Sequence, residues 1–279
     1  MRAKFSLRLG LLGLLVLSWN TFSVAADHGV RPVAFVALQQ HLIRSGLPPD
    51  YVRRVFADER TAFLPQVVTK IAYLKKEKKA DYSHFLQPAV VAKGRRFLET
   101  HQAILTAAER RYGVAKEVIV AILTVESDLG RVTGKYPVFN VFASLAVMDT
   151  PEIIIDLNLS RSLMDRLHRK ASWGRSELAA FLSYCQQNRL DPFSIKGSWA
   201  GAFGYSQFLP TSLLRCGQDG DQDGRVNLFC FEDAIFSIAN YLQKAGFRLR
   251  QKNTWSRAIF SYNNSDAYVE TVLTLAQWY

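Results

Sequence analysis

The sequence is poor in cysteine, and this narrows the class of protein. Only three cysteines occur among 279 residues, and their spacing fits no zinc site. Cys216 and Cys230 flank an acidic loop, so they are the candidate disulfide pair in an oxidising compartment, and Cys185 is then left as a thiol. No glycine-rich loop ends in Gly-Lys-Ser or Gly-Lys-Thr, which excludes a phosphate-binding loop of that kind.

Long apolar runs are also absent from the chain after its N-terminal segment. No stretch there has the about 20 consecutive apolar residues that a membrane-spanning helix needs. At the N-terminus itself, basic residues precede a short apolar run and small residues follow it: Arg2, Lys4, Arg8, Leu9–Leu17, Ser23–Ala26. This pattern predicts a secretory signal peptide over residues 1–26. No cysteine follows the run, so no lipid anchor is predicted. Residues 27–279 are expected to form a soluble periplasmic protein without a transmembrane anchor.

Positive charge is in excess. The net charge is +11, and without the three basic residues of the signal peptide 32 basic and 24 acidic residues remain, or +8. Such a surface favours a polyanionic partner, for which nucleic acid, anionic lipid and cell wall all qualify, although an indifferent basic surface fits equally well. The run Lys75–Lys79 is most simply interpreted as a solvated loop, and contact with an anionic substrate is the alternative.

Helical periodicity dominates the chain, and strand signals are few and short. It predicts one helical stretch from Pro88 to Gly113 and a second helix from Ala115 to Asp128. Ser176–Asn188, Asp233–Lys244 and Ser265–Trp278 are the other helices predicted from caps and spacing. The fold class is therefore mainly α. A smaller lobe is expected at about 149–190, inserted into the main domain, because the pattern there is least regular.

Glu126 is the first candidate for chemistry. Ile119, Ile122 and Leu123 precede it at helical spacing, so its carboxylate lies on an apolar face. Partial burial raises the pKa of a carboxyl group, and a protonated glutamate can act as a general acid on a glycosidic oxygen. The alternative is a glutamate at a helix end that pairs with Arg131 or with a backbone amide.

Two further segments alternate small, aromatic and polar residues. Lys196–Pro210 places glycine and alanine among aromatic residues, which would let a sugar ring approach closely. Ser261–Tyr268 offers aromatic rings and amides that suit sugar hydroxyls. Taken alone, the first segment is more simply interpreted as a tightly packed turn beneath a helix, and the second as a polar turn between two helices.

An acidic loop matches the first half of an EF-hand. Asp219, Asp221 and Asp223 stand at positions 1, 3 and 5, and Gly224 follows at the turn position. The predicted calcium ligands are these three carboxylates, the Arg225 carbonyl and Asp233, since position 12 is occupied by a cysteine. A solvated acidic turn is the alternative. No organic cofactor is expected.

In the order in which they follow one another along the chain, these four segments resemble the family of membrane-bound lytic murein transglycosylase B and its soluble derivatives. Val125–Lys135 resembles its V-E-(S/T)-x-x-G-R-x-x-G-K segment, and Lys196–Pro210 resembles its K-G-S-(F/W)-A-G-A-x-G-x-x-Q-F-x-P signature. The aspartate loop takes the place of its EF-hand-like calcium site. The resemblance runs from about Tyr82 to the C-terminus and implies a lysozyme-like helical core with an additional helical lobe and small β elements.

The resemblance implies that Glu126 is the catalytic acid and base, and that other matched residues bind substrate. These are Ser198, Gln207, Tyr241, Tyr262, Asn263, Tyr268, Tyr82, Arg169 and Lys170. Ser198 is expected to hold Glu126 in orientation, and Arg169 and Lys170 are expected to face substrate carboxylates.

The implied activity is lytic transglycosylation of peptidoglycan with a 1,6-anhydro product. No second carboxylate stands out near the matched segments, which distinguishes the site from that of ordinary glycosidases. A hydrolytic muramidase and a non-catalytic, calcium-stabilised wall-binding protein are the alternatives. Peptidoglycan strands are the expected partner of a monomer, and proteins of cell-wall synthesis are the candidate protein partners. Nucleic acid is not expected, because no basic helix or nucleic-acid motif is present.

Overall fold

The computed structural model describes residues 33–74 and 82–279. The predicted signal peptide and the Lys75–Lys79 loop lie outside these ranges. The described residues form thirteen α-helices: α1 Ala34–Arg44, α2 Pro49–Ala57, α3 Pro65–Tyr73, α4 Pro88–Thr100, α5 Gln102–Tyr112, α6 Lys116–Ser127, α7 Val138–Ala146, α8 Pro151–Asp156, α9 Met164–Gln187, α10 Pro210–Cys216, α11 Phe231–Lys244, α12 Trp255–Tyr262 and α13 Asp266–Trp278.

Three short 3₁₀ helices and one small sheet complete the described elements. The 3₁₀ helices are Ser83–Leu86, Arg161–Leu163 and Lys252–Thr254. The sheet pairs β1 (Tyr136–Pro137) with β2 (Lys196–Gly197) in antiparallel register, with Tyr136 opposite Gly197. The predicted fold class, mainly α with small β elements, is confirmed.

The buried apolar residues form two clusters. One joins α1–α3 to α7–α10, and the other joins α4–α6 to α11–α13. Tyr241 and Tyr262 pack against both clusters, so they mark the boundary between the two cores. The smaller lobe at about 149–190 stays a prediction, and the buried residues of this range belong to the first cluster.

Two helix predictions match the structure closely. The helix predicted from Ala115 to Asp128 is α6, and Ser265 caps α13 by accepting a hydrogen bond from the Tyr268 backbone N–H at 3.3 Å. The helix predicted at Asp233–Lys244 begins two residues earlier, at Phe231.

Two other helix predictions were wrong in their bounds. The stretch from Pro88 to Gly113 is two helices, because the backbone leaves helical geometry at His101, whose ring packs on Phe97 and Phe231. The helix predicted from Ser176 begins at Met164 and passes through Gly174. A Cβ there would meet the α7 backbone at 2.9 Å, so this glycine permits close packing of α7 on α9.

The candidate disulfide is also wrong. All three cysteines are free thiols. The Cys230 thiol donates to Glu232 Oε2 at 2.9 Å, which directs it toward the acidic loop, whereas Cys216 is buried at the end of α10. In the described ranges no helix combines the length and the apolar composition needed to cross a membrane.

Candidate active site

Glu126 stands in the last turn of a nearly fully buried helix. The α6 residues from Val118 to Thr124 are buried, whereas the Glu126 side chain keeps partial exposure. The residue therefore lies at the edge of the core, while its carboxyl group is largely removed from water. Its predicted alternative partner, Arg131, lies 3.6 Å from Asp128 instead.

The turn that follows Glu126 is strained. Asp128 and Leu129 have φ values of 47° and 57°, and Gly130 continues the left-handed run at 86°. A left-handed non-glycine residue costs on the order of 1–3 kcal/mol, so other contacts must hold it. The Ser127 hydroxyl does so, because it accepts from the Gly130 N–H at 3.0 Å and donates to the Tyr205 carbonyl at 2.8 Å.

Tyr268 binds the Glu126 carboxyl directly. Its hydroxyl donates to Glu126 Oε1 at 2.7 Å, and its side chain is 1% exposed. Burial raises the pKa of Glu126 to about 7, and the Tyr268 hydrogen bond opposes that shift. Glu126 is thus close to half protonated near neutral pH, which a group that both donates and accepts a proton requires.

This pKa predicts a pH-dependent stability. The carboxyl keeps its proton up to about pH 7 when folded but loses it near its ordinary value of 4.5 when unfolded. Its stabilising contribution is therefore complete below pH 4.5 and is lost as the pH rises through 7. Glu126→Gln cannot ionise, so the variant should gain stability relative to the wild type across this window, by up to about 3 kcal/mol.

Thermal melts of both proteins from about pH 4 to 8 measure this difference. The stability gain that corresponds to the full pKa shift is an upper bound, because Glu126 retains some exposure. A melting-temperature difference that stays constant across that range would contradict the raised pKa.

Three further predicted tyrosines surround this pair. The Tyr82 ring meets the Tyr268 ring edge-on at 6.0 Å between centroids. The Tyr262 hydroxyl donates to the Ser206 carbonyl at 2.6 Å, and Tyr241 donates to the Ser261 carbonyl at 2.6 Å. The pKa of Tyr262 is raised well above its ordinary value by burial first and then by the Glu126 charge, so Tyr262 also faces the carboxyl group.

The Lys196–Pro210 segment packs against the turn region after Glu126. A Cβ on Gly134 would collide with the Gly197 backbone, so a glycine is needed for this close approach. Gln207 has a φ of 47°, and its side chain donates to the carbonyls of Gly204 and Thr133 at 2.9 and 3.2 Å. Its side chain thus ties the segment to the Gly134 loop.

Ser198 has a different contact from the one predicted. Its hydroxyl oxygen accepts from the Ala200 and Ala202 N–H groups at 3.3 and 3.1 Å. Among the residues that the structure describes, Ser198 makes no hydrogen bond to Glu126. The hydrogen bond to the Glu126 carboxyl group comes from Tyr268 instead. The expectation that Ser198 orients Glu126 is therefore wrong, because its hydroxyl closes its own loop.

Asn263 is positioned after α12 with an unused acceptor. Its side chain is 7% exposed, and its Oδ1 has no hydrogen-bond partner among the described residues. A buried amide oxygen without a partner costs about 1–3 kcal/mol. Such an atom is suited to accept an N–H from a bound ligand.

The predicted basic pair lies on α9. The Lys170 ammonium lies 4.9 Å from the centroid of the Trp173 ring. Burial lowers its pKa, and the charges of Arg166 and Arg169 lower it further. Three basic side chains thus share one helix turn, where an anionic group would relieve their repulsion.

Sequence reasoning missed two contacts near the site. Lys70 lies over the Trp199 ring at 4.1 Å, and Lys93 lies 3.3 Å from the Asp128 carboxylate. Trp199 falls within the aromatic segment that was singled out, but neither lysine belongs to any motif.

The predicted calcium ligands converge on one loop. Asp219, Asp221 and Asp223 bring carboxylate oxygens within 4.8 Å of one another, and Asp221, Cys230 and Asp233 form a second such group. Asp233 is 1% exposed. The loop therefore concentrates negative charge on a small volume.

Backbone N–H groups hold these carboxylates in place. Asp233 accepts from the Gly220 and Asn227 N–H groups at 2.7 and 2.6 Å. Asp219 accepts from the Gly224 N–H at 2.9 Å, and Gly224 has a φ of 89°. Each carboxylate oxygen keeps a lone pair, so the donor set fits a hard cation.

Fold and site define a helical protein with one half-buried acid at the boundary between two cores. Residues 33–258 match the Transglycosylase SLT domain family, and because this match covers most of the chain, the chain belongs to that family. It is 34% identical over 176 residues to membrane-bound lytic murein transglycosylase B of Escherichia coli (strain K12). The alignment covers 63% of this chain and 42% of that relative, so the chain spans about two fifths of its length.

Solved structures of lytic transglycosylases share the fold. The E. coli enzyme SLT35 in complex with calcium has a TM-score of 0.70 at 22% identity, over 90% of this chain and 94% of that one. SltB3 from Pseudomonas aeruginosa, in complex with NAG-anhNAM-pentapeptide, has a TM-score of 0.72 at 23% identity, over 86% and 77% of the two chains. The expected lysozyme-like fold class is confirmed by these likenesses.

Proposed function

We propose that the chain is a peptidoglycan lytic transglycosylase that cleaves the β-1,4 bond between N-acetylmuramic acid and N-acetylglucosamine. The observation that carries this proposal is Glu126, half-buried at a helix end, hydrogen-bonded by Tyr268, with a pKa of about 7. Family membership and the ligand named for SltB3 support the substrate class.

Glu126 acts twice in this mechanism. As an acid it gives its proton to the glycosidic oxygen, and the bond from that oxygen to C1 of the muramic residue breaks. As a carboxylate it then takes the proton of the C6 hydroxyl, whose oxygen closes on C1. Glu126 ends protonated, the product is a 1,6-anhydro sugar, and no water is consumed. The Tyr268 hydroxyl holds the carboxyl group in position for both steps.

Asn263 orients the substrate in this proposal. Its unpartnered Oδ1 accepts the N–H of the muramic acetamido group, so that the acetamido oxygen faces C1 and stabilises the developing cation. Gln207, Tyr241 and Tyr262 belong to the surrounding walls, and Ser198 and Tyr82 are buried and support them. Arg169 and Lys170 face carboxylates of the peptide stem.

Tyr268 has a narrower role than sugar binding. At 1% exposure it offers almost no surface to a ligand, so its contribution passes through Glu126.

Digestion of purified murein sacculi tests this function. The wild-type protein should release soluble muropeptides, measured as the loss of turbidity and by chromatography of the supernatant. A folded protein that releases none at any pH between about 5 and 8, where Glu126 titrates, would refute the assignment.

We further propose that the acidic loop binds calcium and that the cation stabilises the fold without taking part in the chemistry. Asp219, Asp221, Asp223 and Asp233, with the Arg225 carbonyl, are the proposed ligands, and the calcium complex of SLT35 supports the choice of metal. Calcium should raise the melting temperature by about 5–10 °C at 100 times its dissociation constant, and a chelator should reverse this.

A matched pair of variants isolates the site. Asp221→Asn removes one exposed carboxylate of the loop and should abolish most of the calcium response. Asp156→Asn removes an exposed carboxylate at the end of α8 and should leave it intact. Equal responses in both variants would show that the loop is not the site.

The proposed location is the periplasm, reached through the N-terminal signal. The basic surface then holds the protein reversibly to anionic wall or lipid. Peptidoglycan strands are the proposed partner.

A further inference from the structure

Phe231 joins the acidic loop to the turn after Glu126. It is the first residue of α11, directly after Cys230. Its ring lies 4.5 Å from the Tyr205 ring and 5.0 Å from the Phe97 ring between centroids. A Cβ on Gly130 would come within 3.0 Å of both Phe231 and Tyr205, so the two rings close over this glycine.

A second series of contacts also connects the acidic loop to the turn after Glu126. The Tyr205 N–H donates to the Leu228 carbonyl at 2.7 Å, and a Cβ on Gly204 would collide with the Leu228 side chain. The Tyr205 carbonyl in turn accepts from the Ser127 hydroxyl at 2.8 Å. The end of the acidic loop therefore reaches the residue next to Glu126 through one intermediate residue.

These contacts lie against the left-handed part of the backbone, which is strained. Asp128, Leu129 and Gly130 are all left-handed, and such a run persists only when its surroundings hold it. Phe231 and Tyr205 are the side chains nearest to the Gly130 backbone on the side where a Cβ would point. Removing the Phe231 ring takes away one of these two contacts on the turn.

We propose that Phe231 is a positioning residue, which holds the Asp128–Gly130 turn so that Glu126 stays sheltered from water and beside Tyr268. The effect of Phe231 on murein digestion rests on the proposed function, whereas its effect on the exposure of Glu126 to water does not. Without the ring the turn relaxes, water reaches the carboxyl group, and its pKa falls toward the ordinary value because burial is the main cause of the rise.

The groups that face Glu126 are few. Tyr268 donates to it, Tyr262 faces it, and Tyr82 packs behind Tyr268. Asp128 is the nearest carboxylate in sequence, and it pairs with Lys93 and Arg131. Tyr262 and Tyr268 stay neutral at physiological pH, because burial raises the pKa of both well above its ordinary value. His101, whose ring lies 4.9 Å from the Phe231 ring, has a pKa lowered by burial, so a titration below pH 8 is assigned to Glu126 by the difference between each protein and its Glu126→Gln derivative.

The test compares Phe231→Leu with Phe236→Leu. Both remove a ring from α11, but Phe236 packs on Tyr112, away from the turn. In Phe231→Leu the alkaline limb of the pH profile of murein digestion should shift down by about one pH unit, which lowers kcat/KM about tenfold at pH 8. In Phe236→Leu the alkaline limb should lie at the same pH as in the wild type. Both are measured at a temperature where circular dichroism shows a folded protein.

A second readout does not need activity. The melting-temperature difference between each protein and its Glu126→Gln derivative, followed across pH, gives the pKa of Glu126. The pKa of Glu126 should be lower in Phe231→Leu than in the wild type and unchanged in Phe236→Leu. An unchanged pKa in Phe231→Leu, or the same shift in both variants, overturns the proposal. A wild type that never digests murein refutes the proposed function instead, and this second readout still decides the inference.

Discussion

Glu126→Gln should fold and lose murein digestion almost completely. The amide matches the carboxyl group in size and can still accept the Tyr268 hydrogen bond, but it can neither donate the proton to the leaving oxygen nor take one from the C6 hydroxyl. General acid–base catalysis contributes about 10²–10⁴-fold, and here one residue serves both steps, so the loss should lie at the upper end. Release of soluble muropeptides measures it.

Glu177→Gln is the matched control. Glu177 is also a buried glutamate whose pKa is raised by burial, but its carboxylate accepts from Trp173 and Thr211, so no oxygen is directed toward the site. The amide has one acceptor oxygen for the three hydrogen bonds that the two carboxylate oxygens accept, so this variant should lose stability and keep activity while folded. Wild-type turnover in Glu126→Gln, or equal inactivation in both folded variants, would remove Glu126 from its catalytic position.

The local features of the site were predictable from sequence because they depend on neighbours in the chain. The apolar spacing before Glu126 predicted α6, and the predicted bounds, Ala115 and Asp128, are each one residue from those observed. The clustering of the loop aspartates followed from their alternation. In each case the information lies within about four residues of the feature, which is the range over which helix and turn rules act.

The Tyr268–Glu126 hydrogen bond was not predictable in the same way. The two residues are 142 positions apart, and only the packing of α13 against α6 brings them together. The resemblance placed Tyr268 among the substrate-binding residues, but no rule of spacing tells a buried tyrosine beneath the acid from an exposed one on the wall. Ser198 was misjudged for the same reason, since its partners depend on how its own loop closes.

The wrong helix bounds have a tertiary cause as well. Gly174 interrupts the helical pattern in sequence, and Ser176 after it resembles a helix start. In the fold the missing side chain lets α9 approach α7, and burial against α7 offsets the low helix propensity of glycine. The break at His101 likewise involves Phe231, which lies 130 positions later in the chain.

The products should carry 1,6-anhydro ends, because no carboxylate of the described residues is paired with the Glu126 carboxyl group. Tyr268 donates to that group, and the nearest carboxylate in sequence, Asp128, is paired with Lys93 and Arg131. A water on the far face of the sugar would need a second carboxylate as its base. The C6 hydroxyl is tethered to the reacting ring, and tethered nucleophiles reach effective concentrations of about 10⁵–10⁸ M. Ring closure should therefore outrun hydrolysis.

Mass spectrometry of an unreduced murein digest, beside a lysozyme digest, tests this claim most directly. The account predicts muropeptides that end in 1,6-anhydro-N-acetylmuramic acid, each lighter by one water than its lysozyme counterpart and without a reducing end. Products that mainly carry a reducing end would contradict the single-carboxylate mechanism and identify a hydrolytic muramidase that uses Glu126 as its acid.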